Sequence, residues 1–598
     1  MPVTYVAEPI LEIDGQPAPA SLMEDILQIS VEESLHLPGM FTLVIKNDYF
    51  PGRTEDATWR HEGLFAIGKP IKIGFGSSTT KAREFEQEDR GYLLEGEITA
   101  METHFTSESQ APVVIRGYDV SHRLHRGRYN RSFQNMTDSD IIKKIAAEVG
   151  IPTGTVDSSG GPHEYVFQEN QTNMQFFRER AARNGFELFV QDGKLNFRKP
   201  KVDQSLALEW LTDLHSFRVR VTSAEQVNEV EVRGWDYSKK QPIVETANAE
   251  KVLTETDKGK GSKTSTSFKG KPPTPKMMVV NQPVFTANEA KRMAQALCDE
   301  LGGEFVHADA RAEGNPKIRP GRVVELKDMG KYSGKYYVTE TRHLFHERVY
   351  TTEFSVRGLR GGDLLTALSP QTSFQPGQTL MVGIVTDNKD PKGWGRVKVW
   401  FPTLTPKEGQ DAHASYWARV LGTGAGPGRG FDCLPEINDE VLVAFEHGDI
   451  HRPYVIAGVW NGTDAPPEKV HDSVVGGKVR LRTFKTRTGH KLQFVEEDKG
   501  TSKKGVYIDT VYGHQIQLND SEKFAEIKTK EGHYIRLDDQ RKKIEIKTSQ
   551  RGLASITMNS PTGEINIKAG TRLTIDATQI DIKATGIVTI KGAMIKLN

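Results

Sequence analysis

Toward the C-terminal end of the chain, apolar residues come in pairs two positions apart: Ile565 with Ile567, Leu573 with Ile575, Ile580 with Ile582, Val588 with Ile590, and Ile595 with Leu597. The first members of successive pairs are 8, 7, 8 and 7 residues apart. An offset of two puts both side chains of a pair on one face of a strand. A repeat of seven or eight leaves room for one short strand and a tight connection, with Gly570, Gly586 and Gly592 at or near the connecting positions. A looser form of the repeat lies upstream, in Gly489-His490-Lys491-Leu492-Gln493-Phe494, Gly513-His514-Gln515-Ile516-Gln517-Leu518 and Gly532-His533-Tyr534-Ile535-Arg536-Leu537.

Two inward side chains per repeat make a stripe, and a stripe cannot enclose itself. A single-chain parallel β-helix needs about 20 or more residues per coil to surround its own core, so this repeat supplies one wall. Three copies would supply three walls, each buried Ile or Leu then contributing roughly 1.5–3 kcal/mol. The pattern therefore predicts an intertwined trimeric β-prism. An ordinary antiparallel sheet with regular hairpins is the second reading, set lower because the connections carry no consistent Asn-Gly or Asp-Gly signal.

The rest of the chain alternates faces as strands do. Runs at 25–31, 40–45, 71–75 and 112–118 open the first third, and runs at 322–326, 336–340 and 350–357 follow later. Three helices interrupt them. Thr137 caps a helix through Val149 with Ile141, Ile142, Ile145 and Val149 on one face; Asn173 to Asn184 ends at Gly185; Thr286-Ala287-Asn288-Glu289 opens a helix to about Leu301. Residues 254–276, rich in Lys, Thr, Ser, Gly and Pro, read as an exposed loop, and Gly361-Gly362 with Ser369-Pro370 as a linker. The basic cluster from Ser121 to Arg128 lacks interleaved aromatics, so it reads as a solvated or subunit-facing surface.

Composition narrows the class. Lys plus Arg and Asp plus Glu both total 79 in 598 residues, so no global field points to nucleic acid or an anionic membrane. Two cysteines, Cys298 and Cys433, exclude a disulfide framework or a cysteine zinc site. Met1-Pro2-Val3-Thr4-Tyr5 opens no signal peptide, and no run approaches the roughly 18 apolar residues of a membrane span. A cytoplasmic origin is expected, with any export occurring as part of a larger particle.

One block carries a specific likeness. Gly383-Ile384-Val385-Thr386-Asp387 leads to Asp390-Pro391-Lys392-Gly393-Trp394-Gly395-Arg396-Val397-Lys398-Val399-Trp400-Phe401-Pro402, then Tyr416-Trp417-Ala418-Arg419-Val420, Asn438 to Asp449, and Arg452 to Gly462. This block resembles the oligonucleotide/oligosaccharide-binding (OB) barrel at the base of contractile-tail spikes, in the VgrG family and phage baseplate spikes. Asn173 to Phe186, and Tyr336 to His343 with Thr352-Glu353-Phe354, are similar to the hub half of the same proteins. The resemblance implies a mainly β chain in three parts: a hub with barrel-like domains and a few helices over 1–370, an OB barrel over 376–465, and a trimeric triangular β-helix needle over 476–598. The needle lacks the strict valine–glycine octapeptide of some phage spikes.

Chemistry is sparse by comparison. Only residues 463–477 separate barrel from needle, too few for the lysozyme domain that some phage spikes carry there. The run from Gly422 to Gly430 contains Pro427 and leads into strand-like sequence, whereas a phosphate cradle needs a helix N-terminus. The needle's histidines show no His-x-His or His-x₃-His spacing, and Asp538/Asp539 read as solvated turn residues. No catalytic residue, cofactor or metal is expected.

The expected role is that of a homotrimeric spike of a contractile injection system. It would meet inner-tube and baseplate proteins at the hub, act mechanically on a target membrane, and bind no nucleic acid. Its needle core would be the five pairs from Ile565/Ile567 to Ile595/Leu597. The pair pattern runs to Leu597 with no cap before Asn598, so Ala593, Met594, Ile595, Lys596, Leu597 and Asn598 are expected to form a platform. The resemblance implies a small cone-shaped tip protein of the proline-alanine-alanine-arginine (PAAR) repeat type there. A trimeric adhesin or receptor-binding fibre is the alternative, set lower because no lectin-like head follows the needle; an enzyme with a β-helix, such as a polysaccharide lyase, is disfavoured by the short repeat.

Overall fold

The computed structural model describes residues 5–596 apart from 36, 48–58, 80–87, 105–111, 203–204, 237, 270–273, 281, 283, 359–377, 406–413 and 550–552. The linker expected at 361–370, and Leu597 and Asn598, lie outside the described residues. The chain forms two units, residues 1–461 and 462–598.

In the first unit an antiparallel eleven-stranded sheet joins segments far apart in sequence. Its strands follow from alternation: in Met40–Ile45, Phe41, Leu43 and Ile45 are buried, and in Val306–Glu313, Val306, Ala308, Ala310 and Ala312 are buried between polar neighbours. The strand Glu340–His346 pairs with Ile26–Ser34 on one side and Val349–Val356 on the other, which joins segments about 300 residues apart in one sheet. The sequence run 336–340 is broken here. Gly334–Tyr337 belongs to a separate four-stranded sheet, and Val338 and Thr339 carry the chain across by bonding Arg322 and Ser355 carbonyls.

All three helices form. Asp138–Glu148 starts at Thr137 with a reciprocal capping box to Asp140, Asn173–Asn184 ends on Gly185 in the left-handed conformation, and Ala287–Gly303 starts at Thr286. The third start is not reciprocal, because Glu289 accepts from the Phe285 N–H. The loop expected at 254–276 departs from its reading. It contains a short helix, Gly261–Thr264, and buries Ser262 and Ser265, because the buried Glu250 carboxylate accepts the Ser262 N–H at 3.0 Å.

Buried charge holds the segments of the first unit together. Arg319, almost fully buried, gives Nε and Nη2 to the two Glu33 oxygens at 3.2 and 2.6 Å, Nη2 also to the Leu93 carbonyl at 2.7 Å, and Nη1 to Asp192 at 2.7 Å. These partners come from the strand Ile26–Ser34, the strand Glu88–Thr103 and the hairpin between Glu187 and Arg198. A buried guanidinium with every direction filled is strongly specified, since removing one partner of such a pair costs about 3–5 kcal/mol. Beside it, His343 is fully buried; its Nε2 donates to the Ile318 carbonyl at 3.0 Å and its Nδ1 accepts from the Tyr350 hydroxyl at 2.8 Å.

The barrel region carries a five-stranded sheet in the order Lys398–Trp400, Met381–Asp387, Glu440–Phe445, Pro453–Gly458, Arg419–Val420. Val385, Val397, Val399, Ala418, Val441, Val443 and Val455 fill it. The Gly393-Trp394-Gly395-Arg396 turn is fixed by a two-pronged ion pair, Arg396 Nε and Nη2 to Asp390 at 2.9 and 2.7 Å, with the guanidinium stacked on Trp394. That guanidinium holds the Asp390 carboxyl well below the usual carboxylate range.

Burial, reinforced by the Arg319 charge, pushes His343 down to about 3 from 6.5. The folded ring stays neutral while the unfolded ring takes a proton below about pH 6.5, so its contribution is complete above that value and drains away as pH falls toward 3. At about 1.4 kcal/mol per pH unit, the stability of the first unit should drop by about 2 kcal/mol between pH 7.5 and 5.0 in the native protein relative to His343→Gln. Urea titrations of the two proteins at both pH values measure that difference.

Candidate functional site

The second unit contains a nine-stranded sheet made of Leu481–Lys485, Lys491–Val495, Gly505–Asp509, Gln515–Asn519, Phe524–Lys528, Tyr534–Asp538, Lys543–Lys547, Ser555–Asn559 and Glu564–Lys568. Each strand has five residues and pairs antiparallel with its sequence neighbours without a register shift. Through residue 568 the repeat is thus a meander within one chain, the hairpin arrangement that the sequence reading set second. The hairpins were hidden because their turns use other chemistry. In Thr486-Arg-Thr-Gly-His490, Thr510-Val-Tyr-Gly-His514 and Thr529-Lys-Glu-Gly-His533, the Thr hydroxyl accepts the His N–H at 2.9–3.1 Å. Gly489, Gly513 and Gly532 take φ of 103°, 103° and 87°, which only glycine adopts freely. On the opposite edge, Asn519 and Asp538 side chains accept from the N–H three residues on, and Lys523 and Lys542 occupy the left-handed position.

The register aligns the second and fourth residues of every strand in two columns on one face. One runs Arg482, Phe494, Val506, Leu518, Ala525, Leu537, Ile544, Met558, Ile565; the other runs Phe484, Leu492, Ile508, Ile516, Ile527, Ile535, Ile546, Ile556, Ile567. Arg482 alone is not apolar. Among the described residues of this unit nothing covers this face: Ile527 is 55% exposed and Ile565 64%. At about 4.8 Å per strand the stripe is roughly 40 Å long, far more continuous than scattered surface apolar residues.

The opposite face satisfies itself. Gln493 donates to Thr483 and Glu468 at 2.9 and 2.7 Å, Arg536 pairs with Asp538 at 3.0 Å while lying 3.7 Å over the Phe524 ring, and Glu545 sits between Lys543 and Lys547 at 2.6 and 2.9 Å. Burial raises the Glu545 carboxyl, but the two lysines outweigh it and hold it below its ordinary range. The sheet therefore has one finished face and one open face.

Of the expected core residues, Ile565 and Ile567 lie on the last strand and continue the two columns. Leu573, Ile575, Ile580, Ile582, Val588, Ile590 and Ile595 lie beyond it in residues 571–596, which carry no strand, and all are exposed. Ala593, Met594 and Lys596 share that segment; Leu597 and Asn598 lie outside the described residues. Sequence reasoning left the columns from Phe484 to Met558 off the core although each strand shows the same offset of two. The turn histidines act locally: His490 Nδ1 accepts the Val511 N–H at 3.4 Å and the His514 ring lies tilted against Tyr512 at 5.2 Å between centroids. Among the described residues no cluster of three His, Cys, Asp or Glu could hold a metal, and no helix is long and apolar enough to cross a membrane.

Residues 6–347, more than half of the chain, match the family described as the Alg8 N-terminal domain. The chain belongs to this family. Residues 381–460 match the type VI secretion system/phage-baseplate injector OB domain. The type VI secretion system spike protein VgrG3 of Vibrio cholerae is 22% identical over 517 residues, covering 76% of this chain and 47% of its own. VgrG2a of Pseudomonas aeruginosa, also a type VI secretion system spike protein, is 32% identical over 101 residues, 17% of this chain and 12% of its own. The chain thus spans less than half the length of these curated relatives. Among solved structures, the 43 kDa tail protein of prophage MuSo2 from Shewanella oneidensis aligns with a TM-score of 0.44 at 15% identity, over 59% of this chain and 98% of that one. The E. coli c3393 protein, a component of the type VI secretion system, aligns with a TM-score of 0.37 at 15% identity, over 75% and 99%. The chain is VgrG-like, mainly β, with an OB domain.

Replacing Thr529 with Val keeps its shape and removes the acceptor for the His533 N–H, at about 0.5–1.5 kcal/mol. The His533 amide should exchange several-fold faster with solvent deuterium while His514, held by Thr510, is unchanged.

Proposed function

We propose that the chain is the homotrimeric central spike of a contractile injection system, with a hub over 1–370, an OB barrel over 376–465 and a needle over 476–598. The observation that carries this reading is the two-column apolar face, open along its whole length beside a self-satisfied polar face. Strand length favours three copies. Five residues span about 17 Å; three such walls form a triangular prism whose faces lie about 5 Å from the axis, half the ordinary 10 Å spacing of packed sheets. Four walls would leave an unfilled hole. The two columns per wall then meet on the axis.

The rest of the reading follows the VgrG-like character. The hub joins sixfold inner-tube and baseplate proteins to a threefold needle. The needle acts mechanically on a target membrane, driven by contraction elsewhere, so the protein works through rigidity and has no catalytic role. It is made in the cytoplasm and leaves the cell within a phage-tail-like particle or secretion baseplate. A PAAR-type tip protein docks on residues 593–598.

Sedimentation of the full chain should give three copies. Ile535→Asp should dissociate them, since each trimer loses three buried isoleucines, at least about 5 kcal/mol, and gains three carboxylates near one axis. Gln517→Asp, on the opposite face, should leave the trimer intact. A stable native monomer would overturn the spike. For the tip, deletion of residues 593–598 should weaken capture of a PAAR-type protein by the trimer; unchanged capture would leave the needle end without that partner.

A further inference from the structure

The barrel carries aromatic rings that its core does not use. Trp394 is 68% exposed and Tyr416 69%, and Trp417 is half-buried beside them. One side chain gathers all three. The Arg396 guanidinium carbon lies 4.9 Å from the Trp394 ring centre, 6.0 Å from Tyr416 and 5.9 Å from Trp417. Arg396 is buried, and Asp390 grips it with two bonds while also accepting the Lys392 and Trp394 backbone N–H groups at 3.0 and 2.9 Å. The rings are thus mounted on a fixed ion pair, and a ligand meeting them has little left to order.

Their place in the barrel follows from the strand period. Val397 and Ala418 are buried and bond each other, which pairs the barrel's second and third strands. Their neighbours Lys398 and Trp417 therefore point outward. Arg396, in contact with Trp417, shares that face. The platform is the outer face of strands two and three together with the loop after strand one. Barrels of this architecture take oligonucleotides or oligosaccharides there.

Charge separates those two classes. Residues 381–460 hold eight Lys or Arg against ten Asp or Glu, so the barrel is net negative. A nucleic-acid strand brings one phosphate per base and needs a positive groove to follow it. Here Arg396 is already neutralised by Asp390. Among the described residues, the ammonium groups over these rings are those of Lys392, 4.8 Å from Trp394, and Lys398, 5.1 Å from Trp417. An uncharged sugar suits what is present. Its C–H face is weakly positive and packs on the negative face of an aromatic ring, while lysine ammoniums donate to its hydroxyls. We propose that this face binds an uncharged oligosaccharide of flat, β-linked pyranose rings. Trp394, Tyr416 and Trp417 are its stacking platform, and Lys392 and Lys398 its hydroxyl donors. Such binding needs one chain only, whatever the number of copies that assemble.

Calorimetric titration of the full-length protein with cellotetraose and with tetra-N-acetylchitotetraose tests this, since both are uncharged and flat. At least one should bind saturably, with an affinity nearly independent of salt. Trp394→Ala and Tyr416→Ala should each weaken that binding about tenfold or more. Both positions are exposed, so the barrel core is untouched by either change. Trp394→Phe, which keeps a ring face, should recover most of the loss. Absence of saturable binding to both sugars overturns the proposal, as does binding that either alanine variant leaves unchanged. A single-stranded thymidine decamer bound more tightly than either sugar, with the steep salt dependence of phosphate contacts, would give the platform to nucleic acid and overturn the sugar assignment.

Discussion

A five-residue strand offers two side chains to the face it buries, and a meander whose strands pair only with their sequence neighbours leaves that face uncovered. The C-terminal unit depends on this geometric limit. Its strands pair in sequence order through residue 568, its polar face is paired and its turns are pinned by threonine hydroxyls, but its apolar columns are open. The backbone problem is thus solved inside the chain, while the hydrophobic problem is left open along this face.

The N-terminal unit is built the other way. Its apolar cores are buried within the chain, and its long-range joints are polar and largely buried: Arg319 gathers Glu33, Leu93 and Asp192, while Asp138 receives Arg180 at 2.6 Å. Burial works against the Asp138 charge, but His163 and Arg180 hold its carboxyl down to about 2. Such joints are demanding in geometry because a partner lost in a dry interior is not replaced by water. They favour a unit with one arrangement and little give.

The sequence was most legible where local chemistry decides the outcome. Thr137 and Thr172 cap helices whose apolar stripes are plain, Gly185 stops one, and the alternation in Met40–Ile45 gives its strand to the residue. Legibility failed where a distant partner decides. Nothing near Ser262 says that Glu250 will bury it, and nothing near Val338 says that the chain leaves one sheet for another there. For the open face, the offset of two gave the stripe, but the hairpins were missed because a Thr-x-x-Gly-His turn substitutes a side-chain acceptor and one glycine for the expected Asn-Gly pair. The stretch from Phe484 to Met558 was undervalued for the same reason: longer loops blurred its period.

The meander has a further consequence, in time. Every strand from 481 to 568 pairs only with its sequence neighbours, so the wall is assembled from contacts a few residues apart, the class that forms in microseconds to milliseconds. Covering the stripe with any second molecule is bimolecular and waits on concentration. A newly made chain therefore presents a finished, apolar wall before anything covers it. During that interval burial of the stripe competes with aggregation along it, and the competition is set by rates rather than by the stability of the wall itself.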